Sequence, residues 1–224
     1  PSAVSVLLAA TATKASLYIL ARILFSVFEN SENLINNTLV FVILPLSIIA
    51  MFAGTIMAIY EKDIKRLLAH SSVAQIGYIT LAFAIGTKAS IAAGFIHMFN
   101  HALIKGGLFI AITSIGFYIK KRVTINNLSG LGRAMPITFF CFVLCSLSLA
   151  GLPLTAGFIS KLYLIKASIS ADGIWIAILI LISSALSVVY LWKMIEIMWM
   201  REGRKIIINE NPKIYLSLII ITFL

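Results

Sequence analysis

Long stretches rich in Leu, Ile, Val, Phe and Ala, interrupted by single polar residues, alternate with short segments in which most of the charges gather. A helix rising ~1.5 Å per residue needs roughly 20 mainly apolar residues to cross about 30 Å of hydrocarbon. Six stretches pass that test, at about 4–28, 39–60, 67–86, 90–118, 137–166 and 174–199, and a seventh, 214–224, is cut short by the end of the chain. None shows the period-two, half-polar alternation of a membrane β-strand. The pattern therefore predicts an all-α polytopic membrane protein, one transmembrane domain over residues 1–224, with six complete helices and a truncated seventh. The chain opens directly on a helix, without an initiating methionine or a signal peptide, and closes inside one, so it is expected to be the C-terminal fragment of a longer polypeptide.

Composition agrees. With 61% apolar residues and 12% charged, and a mean hydropathy of +1.05, the chain has too little polar surface to cover a soluble core. The net charge of +10 reflects topology. If the chain enters the first span from one side, the loops on that side carry Lys62, Lys65, Arg66, Lys120, Lys121, Arg122, Arg133, Arg201, Arg204, Lys205 and Lys213, while the opposite side has only Lys88 and Lys166. Positive residues are retained in the cytoplasm during insertion, which predicts the basic loops and the N-terminal end to be cytoplasmic in a bacterial or archaeal cytoplasmic membrane. Short loops between spans offer no soluble face for a duplex or single strand, so nucleic acid is excluded as a partner. Lipid headgroups and other membrane subunits are expected neighbours.

Five cations remain, all inside spans: Lys14, Arg22, Lys105, Lys161 and Lys193. Arg22 and Lys193 lie close enough to a span end to snorkel. Lys14 and Lys105 sit near mid-span, where an unpaired ammonium costs at least a few kcal/mol. His97, His101 and Lys105 recur every four residues, climbing one helix face in steps of about 6 Å that one or two waters can bridge. A histidine can take a proton on one ring nitrogen while releasing one from the other, so this is the spacing of a proton wire, with Asn100 placed to orient a water. Two histidines one turn apart on a helix cannot ligate opposite faces of one haem iron, and no CxxCH is present. Neither a cofactor nor a metal site is expected; Cys141 and Cys145 read as packing residues.

The fifth stretch is too long for a single crossing and contains Gly151, Pro153 and Gly157, where backbone hydrogen bonds must be lost. It is expected to be a helix broken near Pro153, with Lys161 two turns beyond. Such breaks line cavities in transporters; the alternative is a plain kink with Lys161 turned outward. All eight acidic residues fall in loops or near span ends. A hard cation such as Na+ prefers oxygen ligands, so the ion handled here is expected to be H+, with any Na+ site elsewhere in the complex.

The stretches PSAVSVLLAATATKASLY, EKDIKRLLAHSSVAQIGY, HMFNHALIKGGLF, LSGLGRAMP and SLAGLPLTAGFISKLYL resemble the antiporter-like subunits shared by respiratory complex I, membrane-bound hydrogenases and Mrp-type Na+/H+ antiporters. HMFNHALIKG and GLGRAMP look most like the D-type subunit of the Mrp antiporters. The resemblance implies about fourteen helices built from two inverted five-helix repeats, of which this chain would hold the second. It also implies roles: Lys14 as the residue connecting two half-channels, His97, His101 and Lys105 as the central axis, and Lys161 as the residue near the outer exit. Asp63 and Lys65 lie in a resembling stretch and would support the pathway. His70 departs from the tyrosine common in LAYSS. The expected function is proton translocation within a multisubunit cation/proton antiporter. The alternatives are a proton-pumping subunit of an NADH:quinone oxidoreductase or hydrogenase, and a scaffold that conducts nothing. No redox site of its own is visible.

Overall fold

The computed structural model describes residues 11–27, 37–120 and 122–202. The expected span 214–224, the first residues of the span expected at 4–28, and Lys121, Arg204, Lys205 and Lys213 lie outside them. The chain runs through α1 (Thr13–Arg22), which continues as a π-helical turn over Ile23–Val27. A second π turn, Leu39–Ile43, leads into α2 (Leu44–Tyr60), followed by α3 (Ile64–Ile85) and α4 (Lys88–Ile119). After a 3-10 turn, Ile125–Leu128, come the short α5 (Leu131–Ala134), α6 (Pro136–Ala150), α7 (Ala156–Ser170) and α8 (Ile174–Trp199). Four helices, Leu39–Tyr60, Ile64–Ile85, Lys88–Ile119 and Ile174–Trp199, are individually long and apolar enough to span a bilayer.

Local chemistry sets the boundaries. Asp63 caps α3, its Oδ1 accepting from the amides of Lys65 at 2.9 Å and Arg66 at 3.1 Å, so the helix begins at Ile64, three residues before the start expected from hydropathy. The cations of its first turn hid that start. Gly86, at φ +74°, ends α3, and Thr87 caps α4 through the Ser90 amide. The expected break is present: α6 stops at Gly151 (φ +83°), whose amide returns to the carbonyls of Leu147 and Ser148, while Thr155 caps α7 through the Phe158 amide. Gly157 plays a different part from the one expected. It lies inside α7, and its missing side chain lets the backbone meet the Ser148 carbonyl directly.

The bundle is inside-out relative to a soluble protein. Phe41, Leu46, Ile49, Phe99, Ile178 and Leu181 are exposed, whereas Ser47, Ser71, Ser160, Ser168, Ser183 and Ser187 are buried. With no water in hydrocarbon, polar groups turn inward and small residues let helix backbones approach. A Cβ on Gly54 would sit 2.5 Å from the Ala74 nitrogen, and one on Gly77 would sit 2.7 Å from the Met51 nitrogen. These two glycines fix α2 against α3. The segment 61–63, the 122–134 connection and the end of α8 meet at one end of the bundle, through bonds from Ile64 N to Val123 O, Ile125 N to Lys62 O and Gly130 N to Ile197 O.

Candidate functional site: a buried line of lysines and histidines

Four of the five pathway candidates, Lys105, His101, His97 and Lys161, are at least 96% buried, and Lys14 is 8% exposed. By contrast Arg22 and Lys193 lie on the exposed outer surface. Lys161 projects from the first turns of α7 back over the break. Its Nζ donates to the carbonyls of Leu149 at 3.1 Å and Ala150 at 2.9 Å. These are two of the last-turn carbonyls that α6 cannot satisfy internally. Gly151 makes room, since a Cβ there would lie 2.8 Å from Lys161 Cδ. The break and the lysine are thus one construction, and the alternative of an outward-turned Lys161 does not hold.

From Lys161 the contacts continue inward. Its ammonium lies 4.9 Å from the ring centre of Tyr78, and the Tyr78 ring meets His97 edge-on at 5.8 Å. His97 stacks on His101 at 6.5 Å with 9° between the planes, as the four-residue spacing on α4 requires. His101 lies in the electrostatic range of Lys14, Lys105 and Lys161. Lys105, one turn further, donates to the Leu68 carbonyl at 2.7 Å and the Ser71 hydroxyl at 2.5 Å. Both ring nitrogens of His101 are buried with no hydrogen-bond partner among the described residues.

His97 is held from both sides, by Ser160 Oγ at 2.8 Å from Nδ1 and Gln75 Oε1 at 2.9 Å from Nε2. Ser160 Oγ also lies 3.0 Å from the Gly157 carbonyl. An amide oxygen can only accept, so Nε2 carries a hydrogen in either protonation state. When the ring is neutral, the Ser160 hydroxyl donates to Nδ1. When it is charged, Nδ1–H donates to Ser160 Oγ, whose own proton turns to Gly157. Rotating one hydroxyl therefore keeps both states of His97 bonded.

The other candidates stand apart from this line. Asn100 donates to the Ala156 carbonyl at 2.9 Å and so ties α4 to the start of α7. Asp63 caps α3 and pairs with Arg122, and Lys65 lines a separate cavity beside it. His70 lies 3.7 Å from Glu61. Burial pushes the Asp63 carboxyl up, but the Arg66 amide and the Arg122 guanidinium outweigh it and hold the group below the usual carboxylate range. Among the described residues, Asp63 is the only buried carboxylate. Sequence reasoning passed over Ser71, Gln75 and Tyr78 on α3 and Ser160 on α7. The first three recur at i, i+4 and i+7, a helical-face spacing that could have revealed them.

Residues 1–187 match the family model described as "NADH:quinone oxidoreductase/Mrp antiporter, TM". The chain belongs to this family. Among curated members, the NADH-quinone oxidoreductase subunit N of Desulforudis audaxviator is 39% identical over 197 residues, which is 88% of this chain and 38% of that one. The chain thus spans well under half the length of that relative. Among solved structures, the archaeal membrane-bound sulfane sulfur reductase contains a chain 30% identical, with a TM-score of 0.86, covering all of this chain and 45% of its own length. The Mrp complex of a Dietzia species contains one 28% identical, with a TM-score of 0.78, covering 91% of this chain and 37% of the other. Family members therefore sit in multisubunit membrane complexes of both redox and antiporter kinds.

Proposed function

We propose that this chain carries protons through the membrane as part of an antiporter-like subunit, along a line with Lys14 and Lys105 at one end, His101 and His97 between, and Lys161 at the break. The observation behind the reading is the burial of Lys161, His97, His101 and Lys105 in close succession, with Tyr78 between Lys161 and His97 and His97 stacked on His101 at 6.5 Å; water would bridge the gaps between them. The five proposed carriers, Lys14, Lys105, His101, His97 and Lys161, are all nitrogen bases. Each can exist charged or neutral, and His97 has bonding partners in both states. Ordered water at the buried nitrogens of His101 would complete the relay toward Lys105, because buried polar groups that find no protein partner are met by water. A pathway built from nitrogen bases suits H+ and offers Na+ no carboxylate.

Which machine the chain serves is a finer question. The 39% identity to a subunit N supports a complex in which redox chemistry drives the pathway. The segments HMFNHALIKG and GLGRAMP, with the Dietzia likeness, favour the D-type Mrp component and coupling to cation export. Mass spectrometry of the intact complex decides between them by its other members, redox subunits or small Mrp-type subunits. The proton pathway itself is tested by His101→Phe, which fills the same space without a titratable nitrogen. Proton flux in vesicles carrying the variant complex should fall to background, and flux at the unmodified rate would remove His101 from the pathway.

A further inference from the structure

A second polar feature lies at the loop-rich end of the bundle, outside the line of lysines and histidines. A cavity of about 520 Å³ opens between the start of α3 and the end of α4, with Lys65, Arg66 and Arg122 on one wall and Thr113, Gly116 and Phe117 on the other. Its single carboxylate is already committed. Asp63 Oδ1 accepts the amides of Lys65 and Arg66, and Oδ2 faces the Arg122 guanidinium. The nearby Glu61 is likewise occupied, by the amides of Lys62 and Asp63 and by His70. Neither Lys65 nor Arg66 makes a side-chain hydrogen bond or an ion pair within 4 Å among the described residues, Asp63 using only their amides and Glu61 meeting Arg66 only through the longer-range attraction of their charges. Three cations against one spent anion leave the cavity net positive. The opposite wall belongs to a membrane-spanning helix whose Phe117 is 75% exposed, so the opening joins a cationic headgroup-level wall to an acyl-chain-level one.

From this geometry we infer that the cavity binds the headgroup of one anionic phospholipid, its phosphate against Lys65, Arg66 and Arg122 and its chains along the outer face of α4 past Phe117. A soluble phosphate would satisfy the cationic wall but leave the apolar wall uncovered. A lipid covers both, and basic pockets beside transmembrane helices are a recurrent form of lipid recognition. Bound there, it would also hold α3, α4 and the 122–134 connection together.

The test uses the intact complex in nanodiscs of phosphatidylcholine with a small fraction of phosphatidylglycerol, and counts retained phosphatidylglycerol by native mass spectrometry. The double variant Lys65→Gln, Arg66→Gln is compared with Lys193→Gln, which removes an outer-surface lysine remote from the cavity. Near-surface cations attract anionic lipid strongly enough that the double variant should hold the site's lipid about 30-fold less tightly, with Lys193→Gln unchanged. Equal retention by all three proteins overturns the assignment. So does displacement of the lipid by millimolar inorganic phosphate, which would mark a soluble-anion site. Loss of a neighbouring subunit from the double variant with lipid unchanged would assign the cavity to an acidic protein segment instead. None of these outcomes depends on proton flux, so the lipid site and the pathway stand or fall separately.

Discussion

Replacing Lys161 separates a proton carrier from a structural cap, because the two roles respond oppositely to arginine. In Lys161→Leu, the carbonyls of Leu149 and Ala150 lose their donor. Hydrogen bonds to a charged group contribute about 1.5–3 kcal/mol each, so roughly 3–6 kcal/mol is at stake. That range is already net of the ammonium's desolvation, so the variant complex should assemble with a lowered thermal midpoint whichever role the lysine has. Stability is therefore a poor discriminator, and flux is a good one. Lys161→Arg keeps donors toward the α6 carbonyls, but a guanidinium stays protonated below about pH 12. At neutral pH its deprotonated form is at least roughly a hundred-thousandfold rare, beneath the floor of any vesicle assay. Both variants should then lose proton uptake in reconstituted vesicles while remaining in the complex. Unmodified uptake by Lys161→Arg would show that the residue only caps the broken helix, and the proposed route would lose its outer end.

Further expectations follow from individual contacts. Ser160→Ala removes the hydroxyl that serves both states of His97; one hydrogen bond of about 1 kcal/mol should slow flux roughly fivefold, measured as initial acidification rate, with assembly unchanged. Gly54→Ala and Gly77→Ala place a methyl against backbone atoms at 2.5 and 2.7 Å. Overpacking of this kind costs about 1–3 kcal/mol or more, and each variant should lower the yield and thermal midpoint of the complex. Asp63→Asn should keep the helix cap, since asparagine caps nearly as well, but lose the pairing with Arg122. Because the folded state holds this carboxyl below its unfolded value of about 3.9, its contribution is complete above that pH and is lost as pH falls toward the lower folded value. Melting of the two proteins should differ at pH 7, and the difference should shrink as the pH falls below about 3.9. Cysteines introduced at Lys62 and Asp172 should label from opposite sides of the membrane, with Lys62 on the cytoplasmic side.

What was legible in the sequence is what the bilayer itself dictates. Length and apolar content pointed to the four helices Leu39–Tyr60, Ile64–Ile85, Lys88–Ile119 and Ile174–Trp199, and Gly151 and Pro153, in a stretch too long to cross once, pointed to the broken helix. The four-residue spacing of His97, His101 and Lys105 placed them on one face of α4 as expected. The partners of these groups were not legible. Serine, glutamine and tyrosine are common inside membrane helices as packing residues, and only tertiary pairing shows that Gln75 and Ser160 meet on His97, or that Ser71 receives Lys105. The short helices between 125 and 134 were missed because a few residues of ordinary loop composition carry no period. Lys161 was identified as a candidate, yet its use of carbonyls freed by the break it follows could be seen only once both halves of that helix were in place.

Proton uptake by vesicles containing the complete complex, compared for Lys105→Ala and Lys193→Ala at equal protein levels, tests the pathway most directly. Lys105 is fully buried and bonded to Leu68 and Ser71, whereas Lys193 lies on the outer surface of α8. Uptake should be abolished in the first and unchanged in the second, with both complexes intact. Equal rates in the two variants would contradict the pathway and return the buried lysines to a structural role.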